Sequence, residues 1–185
     1  MTVKIITDSS ADIPAQSIEE LGITVIPALV CFGAETYRDG VDITTEQFYE
    51  QLPHSEILPR TSVPTPPTFA ETYDKVAEET DEIAVITLSH KLSAIHEVAL
   101  QGVGLMKKKC RVEVIDSNWS LMAHGLIVIT AAQAAKAGAS LDEVVALVHK
   151  NIPRVDIRIA FDTLEYLRRG GRIGKAQAFL AQCLR

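Results

Sequence analysis

Ile83-Ala84-Val85-Ile86-Thr87-Leu88 is an apolar run of strand length, with Asp81-Glu82 before it and Ser89-His90-Lys91 after it. A strand that is apolar on successive residues buries both of its faces. That is the habit of a parallel sheet covered by helices, not of a half-exposed antiparallel one. Downstream, Ser93 is expected to cap a helix of roughly four turns that reaches Lys107-Lys108-Lys109. Val112–Ile115 reads as the next strand, ending in Asp116-Ser117, and an Ala-rich helix follows to Gly138. Ser140-x-x-Glu143 is a capping box for a helix that stops before Pro153.

The same alternation runs upstream. Val3–Thr7 is a short β-rich run ending in the polar loop Asp8-Ser9-Ser10-Ala11-Asp12, and a helix is framed by Pro14 and Gly22. Ile23–Phe32 predicts one or two strands, with hairpin-type turns at Gly33 and Asp39-Gly40. Thr44-x-x-Gln47 is a second capping box, opening a helix to about Leu52. Pro59–Pro67, with four prolines in nine positions, reads as a loop, and Thr65-Pro66 as the N-cap and first turn of a helix to about Glu79.

These elements predict an α/β fold: an N-terminal three-layer domain over 1–153 with a mainly parallel sheet, then the start of a second α/β domain over 154–185. The second part offers a strand at Asp156–Phe161, short helical runs either side of Gly170-Gly171, and a helix over Ala176–Arg185. That is too little to bury a core, so this domain is expected to be truncated or completed by another chain. In such sheets ligands sit beyond the carboxyl ends of the strands, here the loops Asp8-Ser9-Ser10, Ser89–Ser93 and Asp116-Ser117-Asn118.

Composition narrows the function classes. The formal net charge of −6 and the lack of any long basic run argue against nucleic acid as partner. Lys107-Lys108-Lys109 reads as a solvated helix C-terminus. No apolar run approaches the ~20 residues needed to cross a bilayer, and Met1–Thr7 has no leader-like pattern. Scattered Cys31, Cys110 and Cys183 suit free thiols, so a cytoplasmic location is expected.

Familiar catalytic signatures are missing. His96-Glu97 is followed by Val98-Ala99-Leu100, not the second histidine of a zinc motif, and Gly170–Lys175 is one residue short of a phosphate loop. The five histidines (54, 90, 96, 124 and 149) read as surface or half-buried residues, and no metal or cofactor site is expected. What remains is hydroxyl groups at loops and helix starts, where free N–H groups favour an anion. Thr61-Ser62 holds two of them in a stiff loop; Ser93 holds one, which helix capping alone would explain. Arg168, Arg169 and Arg172 could supply local positive charge, or could simply be helix-end cations. A hydrolase with Ser93 as nucleophile and His90 or His96 as base stays open, though without a third orienting group, as does an inactive fragment.

The chain resembles the DegV family of bacterial fatty-acid-binding proteins, the FakB-type subunits of fatty acid kinase. The resemblance rests on Thr7-Asp8-Ser9-Ser10-Ala11-Asp12, Tyr37–Ile43, Thr61-Ser62-Val63-Pro64-Thr65-Pro66, Ser89-His90-Lys91-Leu92-Ser93, Asp116-Ser117 and Asp162–Gly174 in order. It implies a two-domain lipid-binding subunit, not itself an enzyme, which buries a long-chain fatty acid between its domains. It further implies that hydroxyls matching Thr61 and Ser93 meet the carboxylate, which a separate kinase catalytic subunit phosphorylates. Ser62, Ala94 and Arg172 are expected beside that head group. This chain has Ala94-Ile95-His96 where the family usually has Gly-Thr-Tyr, and Val63 where it often has Gln.

Overall fold

A computed structural model describes residues 2–174. Four parallel strands, β1 (Lys4–Asp8), β2 (Thr24–Ile26), β6 (Glu82–Thr87) and β7 (Arg111–Asp116), form the main sheet in the order β2-β1-β6-β7. Between β2 and β6 the chain builds a small antiparallel sheet, β4-β3-β5, from β3 (Leu29–Phe32), β4 (Glu35–Arg38) and β5 (Arg60–Ser62). The β3–β4 hairpin turns through Gly33, whose φ of 60° favours a residue without a Cβ.

The parity of β6 explains the three layers. Ala84 and Ile86 face one side, against α5 (Leu121–Lys136) and α6 (Leu141–Asn151); the core there includes Ile127, Val128, Leu141 and Val144. Ile83 and Val85 face the other side, against Phe69 and Tyr73 of α3 (Pro66–Val76) and Ile95 and Ala99 of α4 (Ile95–Val103). All four β6 residues are fully buried, as the opening run requires. Helices α1 (Ala15–Leu21) and α2 (Thr45–Gln51) complete the first half. Both expected capping boxes form, at Thr44/Gln47 and Ser140/Glu143, and Thr65 caps α3.

Several expectations are corrected. The proline-rich stretch is not simply a loop: Arg60–Ser62 pairs with β3, a non-local ladder that no local pattern announces. Ser93 is not the N-cap of α4. The Ser89 carbonyl accepts the N–H groups of both Leu92 and Ser93, so the turn is still closing there and Ala94 becomes the cap. That helix stops at Val103, short of the lysines, and Lys107 and Lys108 donate their backbone N–H groups to Asp74. Asp39-Gly40 is a turn stitched by Arg38 and Asp42, not a hairpin.

Asp156–Phe161 forms no strand among the described residues. Its half-buried Ile157 and Ile159 alternate with exposed neighbours as a strand's would, but among the described residues no strand pairs with them. Helix α7 (Glu165–Arg169) precedes Gly170-Gly171, and the helix expected over Ala176–Arg185 lies outside the described residues, as does Cys183.

Candidate functional site

From β1 the chain turns to β2 on one side of the sheet, and later returns to β6 on the other. The crevice at the carboxyl ends of β1 and β6 is therefore the topological switch point, where open α/β sheets place ligands. Here the chain's own carboxylate lies at that point. Buried Asp8 accepts the Leu88 N–H at 2.8 Å through Oδ2, and the Ser10 N–H at 3.1 Å and the Ser10 hydroxyl through Oδ1. Ser9 Oγ accepts the Ala28 N–H at 3.0 Å, which ties this loop to the place where the chain leaves the main sheet for the small one. Asp12 carries its carboxyl above the usual range, first through desolvation and then through the like charge of Asp39.

Beneath the loop lies His124 of α5, fully buried where the five histidines were expected to be surface or half-buried residues. Its Nε2 is 3.1 Å from both Thr7 Oγ1 and the Ile86 carbonyl oxygen, while Thr7 Oγ1 itself donates to that carbonyl at 2.8 Å. Nδ1 is buried and meets no hydrogen-bond partner among the described residues. Burial holds the imidazole below its ordinary range, against the opposing pull of Asp8, Asp116 and Asp12. Helix α5 can approach so closely because of Gly125, where a Cβ would stand 2.4 Å from the Ala11 carbonyl oxygen.

The third loop is equally fixed. Asp116, at the end of β7, accepts the Asn118 N–H at 2.8 Å, the backbone N–H of His90 at 3.4 Å and the Nδ1 hydrogen of His90. Ser117 donates its N–H to the Thr87 carbonyl at 3.1 Å, and Ser89 donates its own to the Trp119 carbonyl at 3.0 Å. Asp12, Asn118 and Leu121 are the non-glycine residues with positive φ among those described, at 51°, 58° and 54°. Asp12 and Asn118 lie on the loops around this crevice, and Leu121 is the first residue of α5. Backbone strain of that kind, of order 1–3 kcal/mol each, collects where geometry serves a site.

The hydroxyls now separate. Ser10 and Ser117 donate their hydroxyl hydrogens to Asp8 and to the Trp119 carbonyl, while Ser9 and Ser89 accept the N–H groups of Ala28 and Lys91 within the loops. Ser93 Oγ accepts the Ile95 N–H at 3.3 Å, which leaves its hydrogen to donate elsewhere. Thr61 Oγ1 meets no hydrogen-bond partner among the described residues. Thr61 and Ser62 are not a matched pair, because successive strand residues face opposite ways. Thr61 is registered with Val30 and so shares its face with Val30 and Tyr37, whereas Ser62 shares the other with Leu29 and Arg38. Thr61 and Arg172 are brought together, lining a groove of about 610 Å³ with Ile57, Leu58 and Arg169. Ser62 is not in that lining, and Ser93 and Ala94 sit on the loop after β6.

Of the two bases weighed for Ser93, neither is hydrogen-bonded to its hydroxyl among the described residues, where Ser93 Oγ meets the Ile95 N–H. His96 Nδ1 is engaged with Thr87 Oγ1 at 3.0 Å, and His90 Nδ1 with Asp116. No three-residue cluster fit for a metal occurs among the described residues, and no helix there is long and apolar enough to cross a membrane.

Residues 2–185 match the family described as DegV, uncharacterised protein. A DegV domain-containing protein of Caldanaerobacter subterraneus subsp. tengcongensis, TTE1491, is 36% identical over 182 residues, covering 98% of this chain and 64% of its own length. The fold is similar to that of a fatty-acid-binding DegV family protein from Thermus thermophilus, with a TM-score of 0.85 and 32% identity. It is also similar to DegV, a fatty acid binding protein from Bacillus subtilis, with a TM-score of 0.87 and 29% identity. Both likenesses cover 98% of this chain and 64% of the other. The chain thus spans 64% of the length of each of these three proteins.

Proposed function

The chain belongs to the DegV family, and from that premise we propose that it binds a long-chain fatty acid and presents the carboxylate to a separate kinase subunit in the cytoplasm. The observation that carries the reading is the likeness, over nearly the whole chain, to two DegV proteins described as fatty-acid binding. Thr61 and Ser93 supply the head-group contact. Each has a hydroxyl hydrogen not committed to the fold, and Ser93 lies at the rim of a crevice whose floor is taken by Asp8. A ligand carboxylate cannot descend onto that buried carboxylate without like-charge repulsion, so it rests outward, on neutral donors.

Energetics favour the same division of labour. An acyl chain of about sixteen carbons gains on the order of 12 kcal/mol gross from burial, at ~0.8 kcal/mol per CH₂. The head group then needs orientation more than strong pairing. Hydroxyls orient a carboxylate while leaving an oxygen open to phosphoryl transfer; a close bidentate arginine would occupy both oxygens. Residues 154–185 belong, in this reading, to a second domain that helps to enclose the acyl chain.

Organic extraction of the purified protein followed by mass spectrometry should release a long-chain fatty acid. Apo protein that also takes up no oleate on incubation would refute the binding. Acyl phosphate formed from the loaded protein by a fatty acid kinase catalytic subunit and ATP tests the presentation step, and its absence with loaded protein would refute that step alone.

A further inference from the structure

His90 and Asp116 form a dyad that the fold of the loops does not by itself require. The Asp116 side chain is only 15% exposed and already accepts the Asn118 N–H, and the backbone N–H of His90 also points to it. The His90 side chain is 51% exposed and commits Nδ1 to the same carboxylate. With that edge of the ring turned inward, Nε2 is on the open edge, and among the described residues it meets no partner. The imidazole is thus held in one orientation with one nitrogen presented outward. This is how a carboxylate prepares a histidine for a ligand.

Its position gives the ligand a chemistry. The Ser89 carbonyl gathers the N–H groups of Leu92 and Ser93 into one tight turn, so His90 and Ser93 ride on the same few residues at the carboxyl end of β6. We propose that His90 is a head-group contact, meeting the ligand's carboxyl group through Nε2 beside the Ser93 hydroxyl, with Asp116 as the residue that positions it. The neutral ring accepts a hydrogen bond from a carboxylic acid, and the cationic ring donates one to a carboxylate; in both, one proton is shared between the two groups. Asp116 is the charged group that its ring meets. The inference rests on the fatty-acid reading and assigns a residue to it.

Two substitutions separate ligand contact from loop support. Asn can place its amide N–H where Nδ1 stands, so His90→Asn keeps the donor to Asp116 and loses Nε2. Gln reaches further and places an N–H near the Nε2 position, so His90→Gln keeps the outward contact. Affinity for oleate, read by displacement of the fluorescent fatty acid parinarate, should fall about tenfold in His90→Asn, the worth of one hydrogen bond to a charged group. His90→Gln should stay within about threefold of the wild type, and His90→Asn should melt with the wild type. Unchanged affinity in His90→Asn overturns the assignment while leaving fatty-acid binding intact. A loss in His90→Asn that Gln does not restore, accompanied by a lower melting temperature, also overturns it, because His90 would then serve only the loop. A wild-type protein that binds no oleate refutes the fatty-acid reading and the assignment together.

Discussion

Asp8 reaches across the switch point and accepts the Leu88 N–H at 2.8 Å, joining the ends of two adjacent strands by a side chain. The carboxylate is buried and also serves Ser10, so its removal would strand a backbone donor at the sheet's most confined place. It stabilises the fold and fills the depth of the crevice with negative charge.

Asp8→Ala is expected to destabilise the protein by about 2–4 kcal/mol, since it leaves the Leu88 and Ser10 N–H groups unpaired. Asp8→Asn keeps one acceptor and should cost roughly half as much. Urea unfolding measures both as shifts in midpoint at constant slope. Equal stability of Asp8→Ala and wild type would contradict this account.

His124 predicts a direction for pH dependence. Burial lowers its folded-state pKa, so the unfolded chain binds the proton first as the pH drops below the ordinary histidine value of about 6.5. Stability therefore falls with decreasing pH from there down to the lower folded-state pKa, by at most ~1.4 kcal/mol per pH unit from this group. His124→Phe removes the group that titrates, and its unfolding free energy should decline less between pH 6.5 and 5 than that of the wild type. Parallel curves would exclude His124 as the source.

Gly125→Ala should lower stability by about 1–3 kcal/mol, because the new methyl would meet the Ala11 carbonyl 2.4 Å away and backbone must shift. The displaced segment is the crevice loop, so fatty-acid affinity should fall with it. Calorimetric melting alongside parinarate displacement reads the two effects.

Thr61→Ala combined with Ser93→Ala should weaken oleate binding by about 100-fold or more, as expected from losing two hydrogen bonds to a carboxylate at roughly tenfold each. The melting temperature should fall only slightly, since Thr61 is exposed and Ser93→Ala gives up one long contact, to the Ile95 N–H at 3.3 Å. Unaltered affinity would move the head group elsewhere.

Much of this was legible where local chemistry decides the outcome. The buried run at 83–88 specified the central strand and its two covered faces, and Thr44/Gln47, Thr65 and Ser140/Glu143 marked three helix starts by side-chain capping. Non-local events were not legible. Nothing near Arg60–Ser62 signals that β3 will pair with it, and the burial of His124 depends on Thr7 and Ile86, both distant in the chain. The Asp116–His90 pairing spans 26 positions, so no local pattern around Ser93 announces that orienting carboxylate. Ser93 misled because a serine before an apolar helix commonly caps it; here the carbonyl of Ser89 had already claimed the turn.

The pairing of β5 with β3 carries an arithmetic of its own. Thr61 faces as it does because it stands opposite Val30, and its neighbours face the other way. If one residue were added to or lost from the connection between α2 and β5 and the strand slid to absorb it, Ser62 or Arg60 would take Thr61's direction. A change of two would restore a side chain of the original parity. Length variation in residues 52–59 should therefore be tolerated in even steps and resisted in odd ones, a constraint on chain editing that follows from strand geometry and not from the chemistry of any side chain there.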